Sequence, residues 1–334
     1  MRKFIIPTFA ITILLLIIMI IFLSTAGVKT DRFNSLISQK VKEINPRINF
    51  NLKNVSLKLN PLNFNIDIIT LNPDVAINKA KVEIESVKTN LNLIDYFNNR
   101  NPVSKITLIS KENNIKDVVN FLNEYEFNLA RSLILQQIKR GKVKIFSNIT
   151  FDDNYSDKFS YNINGSVRQA EFSTIKNINL NDLKFDFSIN KKNIDLYKIH
   201  FILNEIKMNS DSVKIKRKDK ELNIMGDLKS ERGKLNFYNY IKLINRDFDL
   251  LNDELISASS NNKFSFVINN KLRIKDMNIS SVIKFDKLYS NKKYQELIYL
   301  KDGLVNINYK NKNIIANLES NYLFLNKDYN NQQK

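Results

Sequence analysis

Few residues could carry chemistry, and their spacing is poor for it. Asp152-Asp153 and Asp247-x-Asp249 are the closest carboxylate pairs, the kind a hydrolase or glycan-modifying enzyme would use. Neither sits in a calcium-loop frame, and Asp247 and Asp249 read as the polar side of a helix. His200 is the single histidine; it alternates out of the apolar set Leu196, Ile199 and Phe201 and has no recurring partner. The chain has no cysteine, which excludes a disulfide scaffold, a thiolate metal site and a cysteine nucleophile. With only 6 Gly there is little room for a phosphate-cradling loop. No Gly-x-Ser-x-Gly, Walker loop or His-Glu-x-x-His is present. The expectation is no enzyme, no metal and no cofactor.

The basic residues point no further. Lys+Arg number 52 against Asp+Glu 34. Heavy use of Asn, Lys, Ile and Phe is what an AT-rich genome produces, so much of the excess charge reads as drift toward Lys. The densest run, Lys214-Ile215-Lys216-Arg217-Lys218, puts Lys214 and Lys216 opposite Val213 and Ile215, as a solvated strand face does. It has no interleaved aromatics, so nucleic acid is not expected as a partner. Attraction to anionic lipid headgroups stays open.

The chemistry must therefore lie in how apolar residues are arranged. A charge-free, predominantly apolar run from Phe4 to Leu23 comes after Arg2 and Lys3. About 20 helical residues at 1.5 Å each span about 30 Å, the hydrocarbon thickness of a bilayer. Ser24-Thr25-Ala26 would suit a signal peptidase, but this apolar core exceeds the roughly 7–15 residues of a cleaved signal. Residues 1–26 are thus expected to be a cytoplasmic stub and transmembrane signal anchor. Long domains translocate largely regardless of flanking charge, so the rest is placed outside the cytoplasm despite Lys29 and Arg32.

Residues 27–46 read as a membrane-proximal amphipathic helix. Phe33, Leu36, Ile37, Val41 and Ile44 share one face and Pro46 stops it. Such a helix could lie on lipid or plug the end of the β domain that begins after it.

From Ile48 the period becomes two. Ile48, Phe50 and Leu52 alternate with polar residues, and so do Val55, Leu57 and Leu59. The pattern returns in Leu183-Phe185-Phe187-Ile189, Val213-Ile215, Phe264-Phe266-Ile268, Val305-Ile307-Tyr309 and Ile314-Ala316-Leu318. Strict alternation means one face in apolar surroundings and one in water. Polar turns at 190–193, 218–220, 269–271 and 311–313 make this a long antiparallel meander of some 15 strands, roughly 70 Å across. Two helical stripes interrupt it, one over Ile115–Leu129 with a continuation toward Gly141, and one over Phe237–Leu251. Both are expected to cover the sheet. Gly165 and Gly226 sit between same-face apolar residues, which suggests a sheet that curves sharply. Asn164-Gly165 could equally be a tight turn.

In these features the chain resembles the AsmA-like superfamily, which includes the TamB and YhdP types of bacterial envelope protein. The resemblance rests on the anchor, the short helix near Gly27–Phe33, the strand pair Ile48–Phe50 and Val55–Pro61, and strand–Gly–strand units such as Asn162–Val167. It covers the whole chain in architecture, and in sequence about the first 110 residues. The Gly common before the first strand is replaced by Asn45-Pro46-Arg47, and family members are usually much longer.

The resemblance implies a taco-like β-groove over 47–325, ending in a polar tail at 326–334. The groove would guide phospholipid acyl chains between inner and outer membranes. Candidate lining residues are Phe185, Phe187, Ile189, Phe264, Phe266, Ile268, Val305 and Ile307. The implied setting is a single-pass inner-membrane protein with its bulk in the periplasm. Its partners would be phospholipid and another envelope protein or a longer AsmA-like chain. A closed sandwich has the same periodicity as a groove. A non-catalytic assembly factor acting through its surface is the alternative function.

Overall fold

The computed structural model describes residues 2–32, 34–98, 100–151, 159–173, 179–203, 205–218, 221–236, 255–269, 271, 273–289, 298–310 and 313–325. Contacts group the chain into two compact units. The first comprises Met1–Ser166 with Ile189–Lys191, the second Val167–Ser188 with Lys192–Lys334. The fold is mainly antiparallel β, as the period-two pattern requires.

The first unit opens with α1 (Arg2–Thr25), β1 (Val28–Thr30) and α2 (Asn34–Ile44). Next are the strands β2 (Ile48–Asn51), β3 (Asn54–Asn60), β4 (Asn65–Leu71), β5 (Asp74–Ile77) and β6 (Ala80–Asn92). Then come α3 (Leu93–Phe97), β7 (Val103–Ser110), β8 (Asn113–Asn114), α4 (Ile115–Tyr125), α5 (Leu129–Gln137) and β9 (Ile138–Phe151). β3 pairs with β1 and β4, β6 with β4, β5 and β7, and β9 with β7 and β8, all antiparallel.

α1 carries apolar side chains around its whole circumference, and Ile11 to Phe22 are exposed apart from half-buried Ile20. Its side chains are described over Ile11–Thr25, about 22 Å of helix at 1.5 Å per residue. Among the described residues no helix is long and apolar enough to cross a membrane. α2 is shorter than the 27–46 stretch and is docked on protein. Ser38 Oγ donates to the Phe50 carbonyl at 2.7 Å, and Asn34 Nδ2 to the carbonyls of Leu52 and Lys53 at 3.2 and 3.0 Å.

α4 packs on β6 and β9 and covers a closed core in which Ile77, Ala80, Ile84, Ile115 and Val143 are buried. The expected continuation of this helix toward Gly141 is corrected. Asn128 breaks it and caps α5, accepting from the Arg131 amide at 3.2 Å. The helix then ends at Gln137, and Gly141 lies inside β9 with φ 147°. The strand that begins at Ile138 puts Ile138 and Val143 into the core, and β-branched residues prefer the pleated surface. The 237–251 stripe lies outside the described residues.

β10 (Phe159–Ser173) and β11 (Asn179–Asn190) carry residues of both units. The second unit continues with β12 (Asn193–Leu203), β13 (Ile206–Lys218), β14 (Glu221–Asn236) and β15 (Leu255–Ile268). It ends with β16 (Ile274–Tyr289), β17 (Ile298–Lys310) and β18 (Asn313–Leu325). Each of β12 to β17 pairs antiparallel with the next in sequence, a meander.

The strand number therefore exceeds the 15 expected, because short strands such as β1, β5 and β8 have too few residues to show a period. Gly165 lies within β10, which removes the tight-turn reading of Asn164-Gly165.

The left-handed backbone positions within the second unit's strands belong to Gln169, Asp182, Lys198, Asp276 and Asp302. Register shifts of the kind a bulge makes lie between Ser230 and Gly233 on β14 and, beside left-handed Asp276, between Ser265 and Val267 on β15. Gly226 has no such φ. A Cβ there would come within 2.9 Å of Val213 Cγ2 and 3.0 Å of Phe264 Cζ, so its role is to admit a neighbouring ring.

Candidate functional site

Asp152, Asp153, Asp247 and Asp249 lie outside the described residues. His200 is exposed on β12 opposite Asn209. No cluster of three His, Asp or Glu able to hold a metal occurs among the described residues. The two lysines with raised pKa belong to solvated pairs. Lys229 is raised chiefly by its hydrogen bond to Asp211, and Lys81 by its hydrogen bond to Asp74 at 3.0 Å.

The feature with binding character is the apolar face of each sheet. In the second unit the register sets the apolar residues in rows across the strands. One row runs Val213, Gly226, Phe264, Ile279, Tyr309, Ile314. A neighbouring row contains Ile194, Ile215, Ile224 and Phe266. Phe264 and Phe266 stack with ring centroids 6.0 Å apart. From Val213 to Tyr309 these side chains are half-buried, so the face is neither solvated like a polar surface nor sealed like a core.

A polar belt bounds this lane. Ser230 and Ser260 share a hydrogen bond at 3.0 Å. Asn262 Nδ2 donates to the Leu228 carbonyl at 2.8 Å and to Ser260 Oγ at 2.9 Å, while Ser281 Oγ donates to Asn262 Oδ1. Beyond the belt, Ile256, Ala258, Phe285 and Leu300 form a buried cluster with Ile283 and Val305 against it.

The expected lining residues thus divide. Phe264, Phe266 and Ile268 lie on the half-open lane. Ile307 is the register partner of Ser281 and continues the apolar set into β17. Val305 packs against the sealed cluster. Phe185 and Phe187 form their own pair on β11 with centroids 6.2 Å apart, Phe187 buried and Phe185 half-buried. Ile189 groups with the first unit. An open cleft over β15–β17 is lined by Phe264, Ile279 and Tyr309 of this lane together with the adjoining Lys263, Ser265, Asn278, Ser280, Asn308 and Lys310.

The first unit carries a similar face, of which the alternating run on β3 already picks out Leu57 and Leu59. Leu59, Ile66 and Leu91 form one row. Leu57, Ile68, Thr89, Ile106 and Ile149 form the next. All are half-buried. This face begins beside α1, where Leu23, Val28, Leu57, Leu59 and Ile66 line a cleft with Lys29, Arg32 and Lys58. On β4 the signal is the alternation Ile66-Asp67-Ile68, and the adjoining Ile69 obscures it.

No family model matches the chain, and neither a characterised protein nor a solved structure matches it. Fold and face together define a mainly antiparallel β protein with half-open apolar sheet faces.

Proposed function

We propose that this is a membrane-anchored AsmA-like protein that guides phospholipid along its apolar sheet faces without catalysing a reaction. The observation that carries the reading is the half-buried state of side chains standing in register rows, Phe264–Ile279–Tyr309 above all. In a packed sandwich, facing side chains interdigitate and such rows become sealed. Acyl chains laid along the rows would bury the remaining apolar surface, each CH₂ contributing about 0.8 kcal/mol.

The anchor in this reading is α1 together with the apolar sequence from Phe4. A helix apolar all round, with its side chains exposed, needs lipid or protein about it. The protein then sits in the bacterial inner membrane with its bulk in the periplasm. The absence of cysteine leaves no thiol there to oxidise.

A surface-acting envelope assembly factor is the second reading. It is favoured by β18, where Ile314 and Ile315 are 59% and 62% exposed on opposite faces, as a strand awaiting a partner chain would be.

The test is photo-crosslinking in cells from the half-buried Phe185, Phe266 and Ile68. Phospholipid adducts are expected. Adducts absent at all three, with crosslinks to protein only, would remove the lipid reading and leave the assembly factor.

A further inference from the structure

One end of the first unit gathers apolar side chains that are left open to solvent. The β3–β4 turn presents Leu62, 90% exposed, and Phe64; α3 presents Ile94, Tyr96 and Phe97, the last 77% exposed. Local chemistry holds them together. Asn92 Oδ1 accepts from the amides of Ile94 and Asp95 at 2.9 and 3.1 Å, capping α3, and Tyr96 and Phe97 meet edge to face at 5.7 Å. The Leu93 amide donates to the Phe64 carbonyl at 3.0 Å, fastening helix to turn.

Register places this patch at the end where α1 joins the sheet. Val28 pairs with Leu57 and Thr30 with Val55, so the chain before Val28 points along β3 toward Asn60 and the turn. Leu23 of α1 lines the same cleft as Leu59 and Ile66. Ile66 pairs onward to Leu91, two residues before α3. The cleft lining includes Lys29, Arg32 and Lys58 and no carboxylate. Apolar and aromatic side chains beside cations are what a bilayer interface with anionic headgroups accepts.

We propose that the Pro61–Phe64 turn and α3 dip into the headgroup–acyl boundary of an anionic phospholipid bilayer beside α1. They would hold the open end of the first unit's apolar face against the lipid. The inference rests on the membrane-anchor reading. Insertion of such a patch reaches about 5–10 Å into the boundary.

The chain lacks cysteine, so single-cysteine labelling is clean. The full chain is reconstituted into phosphatidylethanolamine–phosphatidylglycerol vesicles with an environment-sensitive fluorophore at Leu62→Cys or Phe97→Cys. Ile17→Cys reports on α1. Lys79→Cys, at the opposite end of β6, gives the aqueous reference. Blue-shifted emission at Leu62 and Phe97, quenched more by a spin label near the headgroup than by one at the chain end, is expected. Emission like that of Lys79 at both positions, with Ile17 quenched, overturns the proposal and spares the anchor. A blue shift without quenching by lipid means that protein covers the patch, a second copy included, and also overturns it. Ile17 unquenched overturns the anchor reading and this inference with it.

Discussion

The ring of Phe285 lies across Gly303, its register partner on the neighbouring strand. A Cβ at Gly303 would fall 2.6 Å from Phe285 Cε1 and closer still to Cζ. Phe285 is 6% exposed, within a cluster formed by Ile256, Ala258 and Leu300, so the ring has little space to retreat into. Phe264 over Gly226 repeats the arrangement, again between register partners.

Gly303→Ala should therefore destabilise the second unit by about 1–3 kcal/mol through overpacking, although alanine suits a strand better than glycine. Chemical denaturation measures it. Adding Phe285→Leu should return part of the loss, because the smaller side chain frees the space above Gly303. Equal loss in the double variant would show that the ring is not the obstacle.

Asn262 holds the polar belt with three hydrogen bonds from one side chain. Asn262→Leu should cost about 1–3 kcal/mol despite its apolar character, since it strands the Leu228 carbonyl and the Ser281 hydroxyl and leaves Ser260 with Ser230 alone. The midpoint of urea unfolding would fall. A rise would mean that water already satisfies these groups.

Lys81 and Lys229 have pKa values raised above 10.5 by their aspartate partners. A raised folded pKa means the contribution is fully present below 10.5 and is lost as pH climbs through the folded value. The difference in Tm between the parent and Lys229→Met should accordingly be small, shrink as pH passes about 10.5, and shrink with added salt. A difference that grows with pH would reverse the sign of the interaction.

The period-two runs are legible in the sequence because each residue reports its own face. Phe264-Ser265-Phe266 needs no partner to be read. Gly303 is not legible, since Lys301-Asp302-Gly303 resembles a turn until Phe285, well before it in sequence, is placed above it. The same holds for the Asn262 belt, whose members come from three strands. Leu62 and Phe97 escape for another reason. A four-residue turn and a five-residue helix are too short for any period, and their exposure is a tertiary fact. Left-handed φ is met most easily by glycine, yet Asp182, Asp276 and Asp302 adopt it here. Aspartate tolerates that region better than most side chains.

In the proposed membrane-anchored reading, the anchor sets the topology. A reporter active only in the cytoplasm, fused after Leu325, should stay silent, and one active only outside should give signal. The reverse pair would place the sheets in the cytoplasm and end the periplasmic reading.

A face that holds lipid and a sealed core should answer substitution differently. Phe285 and Phe266 are both aromatic residues of the second unit, one sealed and the other half-buried on the lane. Phe285→Ala should cost about 3–5 kcal/mol, the range for emptying a packed aromatic site. Phe266→Asp puts a charge where acyl chains would lie, while its partly solvated position keeps the folding cost to about 1 kcal/mol of strand preference. Thermal unfolding and lipid crosslinking from Ile268 should then part company. Phe285→Ala should lower Tm, while Phe266→Asp should abolish the lipid adducts near an unchanged Tm. If Phe266→Asp unfolds the protein as severely as Phe285→Ala, the lane is a packed interior and holds no lipid.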